Sequence, residues 1–190
     1  MDFLIQLDQS FFLWLNSLHT SWVDPIMWWL SDKLIWIPLY LYILFLIIKN
    51  YHWKSVGIII SIALLIAASD QVSVFIKYGV ERFRPTHTDG LKESIHTLNG
   101  YYGGAYGFVS SHASNSFALA TITSFFLSPF YKHYRWVAFS WAILVAYSRI
   151  YLGVHFPGDI IGGAILGVVL AFIIHKLYIA FSNRCSNNYC

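Results

Sequence analysis

Residues 148–159 read SRIYLGVHFPGD and join two apolar runs. An arginine, a histidine and an aspartate at the edge of lipid-soluble sequence are costly unless each finds a partner. His155 lies just before Pro157, a favoured first helical position, and Asp159 falls in that first turn within reach of the imidazole. A carboxylate behind a histidine fixes its tautomer and raises its basicity, as in catalytic triads. Arg149 closes the preceding run, and a structural salt bridge to Asp159 is the plainer alternative.

Two further clusters sit at comparable places. In KYGVERFRP, Lys77 and Arg84 are seven positions apart. They share a face two turns apart if the helix continues. Pro85 disfavours helical geometry at Arg84 and sends the chain into a loop. Two long cations there converge on one small anion, or simply snorkel at a helix end. In GFVSSHASNS, Ser110 or Ser111 caps a helix whose free N–H groups make a ready anion site. His112 falls in the first turn, and a plain serine cap with an incidental histidine is the alternative.

Taken together, three cations, two histidines, one carboxylate and a helix N-terminus fall on one side of the chain's apolar segments. Cations with N–H donors describe a phosphate cradle. A carboxylate-backed histidine and a second histidine describe a nucleophile with an acid partner.

These residues resemble the type 2 phosphatidic acid phosphatase family, also called lipid phosphate phosphatases. That family carries Lys, six residues, Arg-Pro; then Pro-Ser-Gly-His; then Ser-Arg, five residues, His, three residues, Asp. Lys77 to Arg84-Pro85 and Ser148-Arg149 through His155 to Asp159 keep the full spacing. The middle block departs: VSSH puts Val109 for the proline and Ser111 for the glycine, keeping Ser110 and His112. Serine is small, so a modest change in fit is expected there.

The resemblance implies a role for each position. His155 attacks phosphorus and forms a phosphohistidine, Asp159 orients it, and His112 protonates the leaving lipid oxygen and then activates water. Lys77, Arg84, Arg149, Ser110 and the Ser111 N–H hold the equatorial oxygens, with no metal and no cofactor. Positioning and charge stabilisation supply most of the rate in such transfers. Among substrates, the resemblance ranks a bacterial polyprenyl diphosphate first. Phosphatidylglycerol phosphate or phosphatidic acid comes next, then lipid A. A non-catalytic lipid-phosphate binder or translocator is the competing reading, and retention of both histidines argues against it. Vanadate-binding haloperoxidases share the blocks but are water-soluble, and the apolar spans disfavour them.

The elements that must carry these groups follow from composition. Of 190 residues 57% are hydrophobic, 11% charged and 19% aromatic. Soluble domains carry about 25% charged residues, so the chain reads as one integral membrane domain over residues 1–190. The fold class is all-α, a polytopic bundle in the lipid bilayer with interfacial belts of Trp and Tyr. A net charge of +3 is too small to argue for nucleic acid. The N-terminus lacks the basic region and small-residue cleavage site of a cleavable signal peptide.

Residues 3–18 mix apolar runs with Gln6, Asp8, Gln9, Ser10 and Asn16, which reads as an amphipathic helix lying in the interface. WVDPIMWWLS reads the same way, giving interfacial helices over 1–33. Five spans follow in a core over 34–181, at 34–49, 56–77, 113–130, 135–152 and 158–181, each near the length a bilayer requires. Basic linkers KNYHWK and PFYKHYR place that side, and the C-terminus, in the cytoplasm. The loop 78–112 and the turn near 150–158 then face outward from a bacterial inner membrane. Cys185 and Cys190 sit in a polar tail, 182–190, and read as a reduced, idle pair. Asp70 reads as pairing with a site cation or capping a polar pocket, and NGYYGGAYG, with His87 and His96, as a mobile lid over the headgroup. GDIIGGAILG holds small-xxx-small spacing for close helix packing.

Overall fold

The computed structural model describes residues 2–188 and the side chains of 3–184, so the reading of Cys185 and Cys190 lies outside the described residues. Seven α-helices form among them: α1 (Asp2–Ser17), α2 (Asp24–Ser31), α3 (Ile37–Tyr51), α4 (Ser55–Val80), α5 (Ser111–Leu127), α6 (Tyr134–Tyr151) and α7 (Pro157–Asn188). No strand forms among the described residues, and one isolated bridge joins Phe83 to Tyr106.

Two helical stretches, Leu34–Val80 and Pro157–Arg184, are long and apolar enough to cross a membrane. The first contains both α3 and α4. His52, at φ +49°, breaks it, so the two halves fold back on each other. Ile43, Leu46 and Ile47 of α3 meet Ile58 and Leu65 of α4 and Ile122, Phe126 and Leu127 of α5 in one core. Outward faces stay apolar: Phe45, Leu64, Phe75, Ile161 and Ile165 are all exposed. A continuous apolar exterior of this kind belongs against lipid.

Helix α5 is the central one. It packs against α4, α6 and, most extensively, α7. Its buried hydroxyls close on their own helix: Thr121 Oγ1 donates to Phe117 O at 2.7 Å and Ser124 Oγ to Ala120 O at 2.6 Å. Those two hydroxyls are satisfied within the helix, while Ser114 Oγ reaches across to Ser69 Oγ of α4 at 2.6 Å. Gly163 and Gly167 face the α5 backbone so closely that any Cβ would overlap Ser110 and Ser114. That is the use expected of the small-residue spacing.

Chain direction sorts the connections to two ends. The 52–54 turn and the 128–133 turn lie at one end. The α2–α3 link, the long 81–110 connection and the 152–156 turn lie at the other. Helix α4 stops at Val80, with Glu81 left-handed at φ +52°. The expected helical face shared by Lys77 and Arg84 therefore does not exist. Arg84 is extended instead, at φ −69° and ψ 159°.

Helix α1 is turned inside out relative to a simple surface helix. Its apolar Leu4, Leu7, Phe11 and Trp14 point outward, while Phe12 and Asn16 are buried. Asn16 Nδ2 donates to the carbonyls of His96, Ile150 and Tyr151, and its Oδ1 accepts from the His96 N–H at 2.8 Å. Phe12 meets Phe156 edge-on at 5.3 Å.

Candidate active site

The α6–α7 turn carries the centre of the site. Cut off from water at 1% exposure, His155 lies between a carboxylate and a guanidinium. Its Nδ1 lies 3.3 Å from Asp159 Oδ2, and its Nε2 lies 2.9 Å from Arg84 Nη1. Guanidinium only donates, so Nε2 accepts and the proton sits on Nδ1, facing the carboxylate. Burial first, then the charges of Arg84, Arg149 and Lys77, hold the His155 pKa well below the ordinary histidine value. The ring is therefore neutral, with its lone pair directed at the cationic side.

Asp159 is fully buried and does not pair with Arg149. Its Oδ2 also accepts from the Phe156 N–H at 3.0 Å, and its Oδ1 accepts from Arg82 Nη1 at 2.9 Å. Gly107 packs against this carboxylate, and a Cβ there would stand 2.7 Å from Oδ2.

Arg84 is positioned by the long connection. Its N–H donates to Ala105 O, and Gly107 N–H donates to Arg82 O, which ties 82–84 to 105–107 as an extended strap. The Arg84 side chain is held by Tyr106 O at 3.1 Å and Val154 O at 2.9 Å. Arg149, 3% exposed, donates through Nη1 to Ser31 Oγ and through Nη2 to Tyr101 OH at 2.9 Å. Its Nε is buried without a partner among the described residues. Burial raises the Tyr101 pKa, but the charge and hydrogen bond of Arg149 bring it below its ordinary value. The segment read as a mobile lid is thus tied to the site by Tyr101.

The start of α5 brings the remaining groups. Ser110 caps the helix, accepting from Ala113 N–H at 3.4 Å, and its own N–H donates to Asp159 O at 3.0 Å. That backbone bond joins the two histidine-bearing turns. His112 is partly buried and its ring makes no hydrogen bond among the described residues. Arg149, His155, Lys33 and Arg84 lie close enough to act on it electrostatically. Lys77 Nζ donates to Ser111 Oγ at 2.5 Å, and that hydroxyl also bonds Ser73 Oγ at 2.7 Å. Where the family carries glycine, this chain uses a side chain to hold a cation. Asp70 does not pair with a site cation as expected. Its hydrogen-bond partner is Asn115 Nδ2 at 3.5 Å, too long for a strong bond.

Lys77, Arg84, Ser110, Ser111, His112, Arg149, His155 and Asp159 therefore border one small region, reached from three separate blocks of sequence, whereas Asp70, His87 and His96 find partners elsewhere. Arg82, Ser31, Tyr101 and Asp8 went unnoticed as its supports. From Ser111 and His112 a cavity of about 500 Å³ runs between α3, α4, α5 and α6, lined by Trp36, Ile43, Ile62, Leu119 and Trp141. Cations and neutral imidazole at one end of an apolar cleft suit a phosphate whose attachment is greasy.

Residues 56–182 match the family model of the PAP2 superfamily. The chain is 37% identical over 187 residues to a lipid A 4'-phosphatase of Bacteroides thetaiotaomicron, covering 93% of this chain and 81% of that one. It is 33% identical over 186 residues to a lipid A 4'-phosphatase of Porphyromonas gingivalis, covering 97% and 78%. Among solved structures, a transmembrane PAP2-type phosphatidylglycerolphosphate phosphatase from Bacillus subtilis aligns with a TM-score of 0.73. At 22% identity over 93% of this chain and 87% of that one, the likeness is one of fold.

Proposed function

This chain belongs to the PAP2 superfamily and is a phosphatase, and we propose that it removes a phosphate from a membrane lipid through a phosphohistidine on His155. The observation that carries this is the two-sided setting of the imidazole, Asp159 behind Nδ1 and a guanidinium before Nε2. Phosphate oxygens entering between Arg84, Arg149 and Lys77 take over the Arg84 donor and uncover the Nε2 lone pair. Nε2 then bonds phosphorus in line as the bond to the lipid oxygen breaks, and His112 gives that oxygen a proton. Asp159 balances the charge that appears on the ring. Water, deprotonated by His112, attacks phosphorus next, and inorganic phosphate leaves with Nε2 free again. Arg84, Arg149, Lys77, Ser110 and the Ser111 N–H stabilise the equatorial oxygens throughout, the part electrostatics plays best in a dry site.

The proposed substrate is a phosphate monoester of the lipid A type. Support comes from the likeness to two lipid A 4'-phosphatases over more than nine-tenths of the chain. This reverses the order expected from the blocks alone, which put polyprenyl diphosphate first. The apolar cleft between α3 and α6 would take an acyl chain while the sugar stays at the mouth.

In the proposed setting α3 to α7 cross the inner membrane and α1 and α2 lie at its outer interface, all within one domain. The basic turns face the cytoplasm and the site faces out. The sorting of connections to two ends supports this arrangement.

The test is a phosphate-release assay on purified protein with lipid A, undecaprenyl diphosphate and phosphatidylglycerol phosphate, run beside His155→Ala. Release from lipid A by the wild type alone supports the reading. Turnover by the variant removes the nucleophile assignment, and preference for another lipid removes the substrate assignment.

A further inference from the structure

The polar chain behind His155 does not stop at Asp159. Arg82 bridges two carboxylates, giving Nη1 to Asp159 Oδ1 at 2.9 Å and Nη2 to Asp8 Oδ2 at 2.6 Å. The other oxygen of Asp8 accepts the Gly158 N–H at 2.8 Å, in the first turn of α7. Asp8 therefore grips both the arginine and the helix start that together frame Asp159. The guanidinium itself lies over the Phe156 ring, 4.4 Å from its centroid, so the fork is fixed in plane as well as at its tips.

We propose that Asp8, on the N-terminal helix and 150 residues from the turn it holds, is a positioning residue for the reaction. The inference rests on the reading of His155 as nucleophile. The side chain of Arg82 is 26% exposed, so without Asp8 its head can swing toward water. Asp159 Oδ1 would then lose its charged partner inside a fully buried site. A carboxylate free to turn no longer presents Oδ2 squarely to Nδ1–H, and the ring that must hit phosphorus in line loses its second anchor. Space leaves no easy substitute: a Cβ on Gly158 would stand 2.9 Å from Asp8 Oδ2.

Asn16 supplies the control, because it clamps the same helix through His96, Ile150 and Tyr151 without touching the path to Asp159. Steady-state kinetics and thermal unfolding are measured in one detergent for wild type, Asp8→Asn, Asp8→Glu, Asn16→Ala and His155→Ala. Asp8→Asn is expected to lower kcat by roughly tenfold to a hundredfold, the scale of a small misplacement, with KM little changed. Asp8→Glu restores most of the loss, and Asn16→Ala lowers Tm at least as much while keeping kcat. Should Asp8→Asn retain wild-type kcat, or lose activity only in step with Tm as Asn16→Ala does, the positioning role is overturned. Activity in His155→Ala would instead overturn the nucleophile reading, and the inference with it.

Discussion

Arg84 Nη1 and His155 Nε2 face each other at 2.9 Å, so the atom proposed to attack phosphorus is capped by the cation proposed to bind it. One hydrogen bond thus sets the tautomer, keeps the lone pair directed, and is exchanged when an anion arrives. Removing Arg84 both uncovers and disarms the ring. Arg84→Met is expected to lose about 10²- to 10³-fold in kcat, the scale for one charge-stabilising donor. Steady-state phosphate release measures it, and near-wild-type kcat would show that the cap has no catalytic part.

His155 is held neutral in the fold, its pKa well below the ordinary value through burial and then the charges of Arg84, Arg149 and Lys77. The same ring in the unfolded chain takes up a proton below about pH 6.5. Unfolding therefore binds a proton in acid, and stability falls as pH drops through that value, by at most about 1.4 kcal/mol per pH unit. His155→Asn, which has no such proton to gain, is expected to flatten the fall of Tm between neutral and mildly acidic pH. An identical slope in both proteins would mean that the folded ring is already charged.

Ser111 gives a sharper test of the family's middle block. Its hydroxyl accepts from Lys77 at 2.5 Å, a contact glycine cannot make. Ser111→Gly frees the ammonium without removing it and is expected to keep kcat within about tenfold, whereas Lys77→Met loses about 10²-fold or more. Equal losses in the two variants would place the function in the hydroxyl and not in the cation.

Gly107 is the tightest point around the carboxylate. The Cβ of alanine would meet Asp159 Oδ2 at 2.7 Å and Arg84 Cγ at 3.3 Å. Gly107→Ala is expected to cost about 10²-fold in kcat through displaced groups. Measuring kcat beside Tm separates this from unfolding.

Vanadate adopts the trigonal-bipyramidal shape of the transferring phosphoryl group and should inhibit competitively. Activity should also survive excess EDTA, because Lys77, Arg84 and Arg149 supply the positive charge. Dependence on an added divalent cation, measured by phosphate release after chelation, would sink that part of the proposal.

The residues proposed for the site could be picked out because each block is local in sequence: Lys77 to Pro85 runs from the last turn of α4 into the loop, and Arg149 to Asp159 runs from the end of α6 across the turn into α7. Helices α3 to α6 were readable from apolar length within about three residues at each end, while α7 runs to Asn188, seven residues past the expected 181. What escaped were contacts between distant segments. Arg82 had a signal that was not used: in an extended chain alternate residues share a side. Arg82 and Arg84 both turn inward while Phe83, 54% exposed, turns out. Asp8, Phe12 and Asn16 likewise repeat every four residues along one helical face; Asp8 and Asn16 were read as polar positions of an interfacial helix, whereas that face turns toward the protein. Ser31 and Tyr101 carry no such periodicity. Their bonds to Arg149 depend on how two irregular connections fold over α6, which local pattern does not encode.

The contact between Asp8 and Gly158 also bears on how the protein is made. The ribosome releases α1 long before α7, and the two cannot meet until the final helix has entered the lipid. Until then Asp8 lacks the Gly158 N–H, and the proposed reaction centre lacks both its histidine and its bracing arginine's full set of partners. On that reading, nascent chains are expected to be inert toward membrane phosphates until α7 has joined the fold.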